Sequence, residues 1–189
     1  MLSDWATVRV DDLSFGILDN GEIPIETADW STGLVAPMSN GAVISTGIHT
    51  GTGRVRVALL AAEPSSTADA WEEIVEVSVH SSQGRLRVDA FEEGAVESLP
   101  ILSTAGPGWY RLRVHARGRT INPDGIQRDP VEDYHLAVWQ APPSPTTILR
   151  ASDRIRISLQ ADLPTPDSQA QTFTPEQPAP KPGEPGATS

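Results

Sequence analysis

The feature that most constrains this chain is the alternation in Gly108-Trp-Tyr-Arg-Leu-Arg-Val-His-Ala-Arg-Gly118. A side chain that flips at every residue puts Tyr110, Leu112, Val114 and Ala116 on one face and Arg111, Arg113, His115 and Arg117 on the other. The stretch is opened by Pro107-Gly108 and stopped by Gly118. It predicts a long strand with one face in a hydrophobic core and one face of cations.

The same code recurs along the chain. Leu13, Phe15 and Ile17 share a face before the Asn20-Gly21 turn, and Ile23 to Trp30 is extended but broken by Pro24, which suits an edge or a loop. Ala42 to Ile48 and Arg54 to Ala61, joined by Gly51-Thr-Gly53, read as a hairpin. Ala70 to His80 turns through Ser82-Gln83-Gly84 into Arg85 to Phe91, with glutamates on the first strand placed to pair with arginines on the second. Val96 to Leu102 is the expected hairpin partner of the 108–118 strand. Arg119 to Pro130 reads as an exposed loop. Strands follow at Val131 to Gln140, Thr147 to Arg150 and Arg154 to Leu159, with Ile155, Ile157 and Leu159 facing inward. A helix is hardest to exclude in Trp30 to Met38. Many short strands punctuated by glycine and proline, without sustained 3.6-residue periodicity, predict an all-β fold: an antiparallel β-sandwich or jelly-roll-like domain over 1–161. Beyond it, 162–189 holds hardly any apolar residue and reads as a disordered, proline-rich tail.

Composition narrows the function classes. There is no cysteine, which removes disulfides, thiolate zinc sites and a cysteine nucleophile and fits a reducing cytoplasm. No apolar run reaches the roughly 18 residues of a membrane span, and the amino terminus lacks a signal-peptide pattern, so neither export nor a membrane partner is expected. The formal net charge of -11 opposes nucleic-acid binding, which rests on cations meeting phosphates. The acids are concentrated early: up to Gly53 the only base is Arg9, against Asp4, Asp11, Asp12, Asp19, Glu22, Glu26 and Asp29.

No catalytic apparatus stands out. His49, His80, His115 and His135 lack the short spacing of a zinc site and read as solvated sheet residues, so no metal or cofactor is expected. Glu72, Glu73, Glu76, Glu92 and Glu93 read as solvated faces rather than a glycosidase pair. The cationic strand faces read as arginine–carboxylate ladders. Trp5, Trp30, Trp71, Trp109 and Trp139 read as core plugs, with sugar-binding platforms as the other use of such residues.

The order of these features resembles the competence protein J family, inhibitors of a DNA-entry nuclease. The likeness lies in Leu13-Ser14 in an early strand, Asp29-Trp30 followed by Gly41-Ala-Val-Ile-Ser45, and the charged strand Arg54 to Leu60. It continues through Glu72 to Val79 with a Gly84-centred turn, Gly108-Trp-Tyr-Arg-Leu112 and a strand ending near Trp139, so that it spans about 11–140. The resemblance implies a small β-sandwich that occludes a nuclease, with acidic groups standing in for DNA phosphate. The arginine-rich strands, the 119–130 insertion and the tail depart from that pattern.

The leading expectation is a cytoplasmic, non-catalytic β-sandwich that binds a protein, a basic nuclease in the inhibitor or immunity-type reading. Its contact set would be Asp11, Asp12, Asp19, Glu22, Glu26 and Asp29, with Trp30 as an apolar anchor. The alternative is a carbohydrate- or small-ligand-binding jelly-roll module that uses exposed tryptophan.

Overall fold

The computed structural model describes residues 1–65 and 70–156. Twelve strands follow in chain order: β1 (Ala6–Val10), β2 (Ser14–Asp19), β3 (Val35–Pro37), β4 (Ala42–Ser45), β5 (Thr50–Leu59), β6 (Glu73–Ser81), β7 (Leu86–Ala90), β8 (Gly94–Ala95), β9 (Gly108–Arg117), β10 (Ile126–Gln127), β11 (Asp133–Gln140) and β12 (Thr147–Arg150). A 3-10 turn at Ile25–Thr27 and a helical turn at 153–156 interrupt the strands. The larger sheet runs β1-β5-β11-β9-β6-β12, with β10 also on β5, and the smaller runs β3-β4-β2-β7-β8.

Alternation places one face of each sheet in a shared core. Tyr110, Leu112, Val114 and Ala116 of β9 are buried there with Val55, Val57, Val75, Val77, Leu136 and Val138 of their sheet, against Phe15, Ile17, Ile44 and Val88 of the other. At roughly 25 cal/mol per Å2 of apolar surface, this burial is the main favourable contribution to folding. The 108–118 strand is thus as expected in extent and in its inner face.

The pairing differs from the sequence reading. β4 and β5, expected as a hairpin, lie in different sheets, and so do β6 and β7. β9 pairs with β6 and β11, while Val96 and Leu102 donate to Val88 and Leu86 beside β7. The larger sheet is mixed, because β11 runs parallel to β5. In a sandwich every strand shows the same alternation, so the pattern does not say which sheet a strand joins.

The crossing from β6 to β7 has a visible cause. Asp19, at the end of β2, accepts from the backbone N–H of Gln83 (2.6 Å) and Arg85 (2.7 Å) and from the hydroxyls of Ser81 and Ser82. This ties the turn to the smaller sheet. Gly84 (φ +71°) passes so close to Gly106 that a Cβ would meet its carbonyl carbon at 2.8 Å, so the turn requires glycine.

Trp30 to Met38 forms no helix; it contains β3. The 119–130 connection exposes Ile121 and Ile126, but it begins with Arg119, which is buried and donates to Glu73 (2.6 Å) and to the Gly33 carbonyl (2.9 Å). Ile155 is buried as expected, though on a helical turn. Ile157, Leu159 and the 162–189 tail lie outside the described residues.

Candidate functional site

The outward face of the larger sheet is the part of the molecule least like a solvated surface. Register sets its side chains in rows. The first reads Thr7, Arg54, Asp133, Arg117; the second Arg56, His135, His115, Ile74; the third Ala58, Ala137, Arg113, Glu76. Arginine–carboxylate pairs form here as a class, but with other partners than expected and in a different setting. Asp133 accepts from Arg54 (2.6 Å) and Arg117 (2.7 Å), and Glu76 accepts from Arg111 (2.7 Å) and Arg113 (2.8 Å). The arginines after Gly84 take no part, since Arg87 pairs with Glu97 instead. Arg111, Arg113, Glu76 and Asp133 are buried, so this face carries a charged network packed under other groups. Burial alone would raise the Asp133 carboxyl, but the hydrogen bonds from Arg54 and Arg117 outweigh it and hold the group below its ordinary value.

Trp71 supplies much of the cover. Its indole stacks on His135 (centroids 5.9 Å apart, planes 20° apart) and leans on His115 (5.7 Å), with the Arg117 guanidinium over it at 5.0 Å. His115 and His135 face each other across β9 and β11 with centroids 5.0 Å apart. Neither is a solvated surface residue. Burial, then the neighbouring His115, then Arg56 push His135 down to about 4, and burial is the first cause of the lowered His115 value. Both rings are therefore neutral at pH 7. His115 Nδ1 lies 3.0 Å from the His135 carbonyl, which can only accept, so Nδ1 carries the proton and Nε2 keeps a lone pair.

Beside these rings opens a cleft of about 210 Å3, walled by Trp71, His115, His135 and Arg56 and floored by Ala58 and Ala137, with Leu60 and Pro64 at the rim. Two of its polar atoms, Arg56 Nε and His135 Nδ1, are buried without a hydrogen-bond partner. Arg56 lays its guanidinium over Trp5 at 4.8 Å. A second, wider groove of about 460 Å3 crosses the smaller sheet between Leu18, Arg85, Arg87, Asp89 and Ile101. There Arg87 is matched to Glu97 (2.6 Å), and burial raises the Asp89 carboxyl. Among the described residues, no three His, Cys, Asp or Glu side chains gather as a metal site would require.

The acidic contact set is not one patch. Asp11 and Asp12 sit in the turn before β2, where Asp11 accepts from Arg9 (3.1 Å) and Asp12 lies 3.7 Å from His49. Glu22, Glu26 and Asp29 follow the far end of β2, about 17 Å away along the strand. Asp19 is fully buried with both oxygens engaged, so it holds the fold and has no surface to offer a partner. Glu22 accepts from Asn40 (3.0 Å) and Gln83 (2.7 Å), and Asp29 from the Ser31 N–H (3.0 Å). Glu26 and Trp30 are exposed. Of the five tryptophans, Trp71 and Trp139 are packed, whereas Trp5, Trp30 and Trp109 are exposed. Both packed tryptophans lie on the outer face of the larger sheet, Trp71 over the histidines and Trp139 beside Ala58 and Ala137, so none of the five plugs the core between the sheets.

No family model and no curated protein matches the chain. Among solved structures, the protein titled "Crocagin biosynthetic gene J" is similar over 75% of this chain and 98% of its own, at 14% identity and a TM-score of 0.45. The competence protein J family is not shown by these comparisons. No helix among the described residues is long and apolar enough to cross a membrane.

Proposed function

We propose that this chain is a non-catalytic binding module, cytoplasmic in setting, that holds a small ligand in the cleft on the outer face of its larger sheet. The observation that carries the reading is the cleft itself: Trp71 folded over the His115–His135 pair, on a face where alternation alone would leave solvated side chains. The absence of turnover is supported by the rings' surroundings. Each imidazole is met by the other ring, by Trp71 and, for His115, by a backbone carbonyl, an arrangement that orients no general base with a carboxylate. Two-dimensional NMR of the labelled protein against a small-molecule library tests the reading. Binders should shift the Trp71 indole N–H and leave that of Trp30 in place; a library that moves no cleft signal would exclude it.

A second reading, protein docking, is favoured by the segment between β2 and β3. Ile23, Ile25 and Trp30 are exposed there and interleave with Glu22, Glu26 and Asp29. An aromatic anchor ringed by carboxylates suits a basic protein surface, and inhibition of a nuclease in the manner of competence protein J is the specific form the sequence resemblance gives it. Co-purification of a basic nuclease that is lost with Trp30→Ala would support this reading; capture unaffected by that variant would exclude it.

A further inference from the structure

Arg54, Arg56, Arg111, Arg113 and Arg117 face outward on β5 and β9, and four of the five are matched to Asp133 or Glu76. Arg56 stands between the two matched sets, and none of the described carboxylates pairs with it. Its Nε has no hydrogen-bond partner, although it is shielded from water. A partly buried guanidinium without a counter-anion is costly, and a bound anion would offset that cost. The planar fork of arginine fits a carboxylate through two parallel hydrogen bonds.

The rest of the cleft describes the body that would carry the charge. Trp71 and His135 are nearly parallel rings, and Ala58 and Ala137 add a floor with no polar side-chain atom. A neutral sugar needs many donors and acceptors that such walls lack, and bare phosphate would leave the apolar surface unused. We infer that the cleft takes a planar aromatic anion, its carboxylate against Arg56 and its ring against Trp71 and the imidazoles. This rests on the reading of the cleft as a ligand site.

The test titrates 1-naphthoate, its neutral counterpart 1-naphthylmethanol and inorganic phosphate into the full chain, followed by NMR of the indole and backbone N–H signals. Naphthoate should shift Trp5 and Trp71, and should bind at least ten-fold more tightly than the alcohol or phosphate. Arg56→Gln should lower naphthoate affinity at least ten-fold while keeping a dispersed, folded spectrum. Arg54→Gln, which removes an equal charge already matched to Asp133, should change affinity less than two-fold. Equal binding of acid and alcohol at the cleft, or equal losses in the two variants, would overturn the inference while leaving the cleft a ligand site. Shifts confined to other surfaces, or none, would remove both readings.

Discussion

Asp19 shows how much one side chain can decide. Its carboxylate is buried, yet hydrogen bonds from the Gln83 and Arg85 N–H groups and from Ser81 and Ser82 overcome the effect of burial and keep it below its ordinary value. Asp19→Ala should therefore destabilise the protein by about 2–3 kcal/mol at pH 7, read by urea unfolding, because buried N–H groups lose a charged acceptor. His135 acts in the opposite direction. Its folded value is about 4, against an ordinary 6.5, so between these limits the unfolded chain binds a proton that the folded one refuses. Stability attributable to this ring is complete above pH 6.5 and is lost as pH falls toward 4. His115, lowered for the same first cause, adds to the slope. Arg56, Arg113, Arg117 and Trp71 are the other groups that stand around the pair. The melting temperature should fall through that window in wild type and fall less steeply in His135→Asn, with Asp19 and Asp133 contributing their own loss only near and below pH 3.8.

At the scale of elements, β9 is the strand on which both faces depend, with valine and leucine inward and the arginines held by carboxylates from β6 and β11 outward. Glu76→Gln should cost about 3–5 kcal/mol in chemical denaturation, since it leaves Arg111 and Arg113 buried without their shared counter-charge. Gly118, which ends β9 at φ +84°, lies so near the Val131 carbonyl that an added Cβ would sit 2.2 Å from its oxygen. Gly118→Ala should therefore lower the thermal midpoint by several degrees, more than Gly94→Ala, whose added Cβ meets nothing within 4 Å. The faces of β9 and β11 were legible from alternation, because core burial enforces a period of two. Partner choice was not. Proximity in sequence pairs the glutamates of β6 with the arginines after Gly84, whereas in the fold Glu76 is held by residues 35 and 37 positions away. The cleft escaped for the same reason. His115 and His135 both show outward parity, but their meeting is a fact of register between β9 and β11, and Trp71 precedes its strand and announces nothing about where it folds back.

At the scale of the molecule, the two candidate surfaces lie on different sheets, separated by the core. Ala28, beside Trp30, packs with Leu18 and Val43 on the outer side of the smaller sheet, while the cleft lies on the outer side of the larger one. Trp30→Ala should leave stability within about 0.5 kcal/mol and cleft binding unchanged, because sites this far apart act additively. The parallel seam between β5 and β11 has a consequence for kinetics. It joins Arg54 to Asp133 across 79 positions of chain, a closure whose entropy must be met before its contacts are made. Arg56 and His135 stand on opposite sides of that seam, so the binding cleft does not exist until the closure is complete. A ligand held there would lengthen the lifetime of the native state against unfolding and leave the rate of refolding untouched.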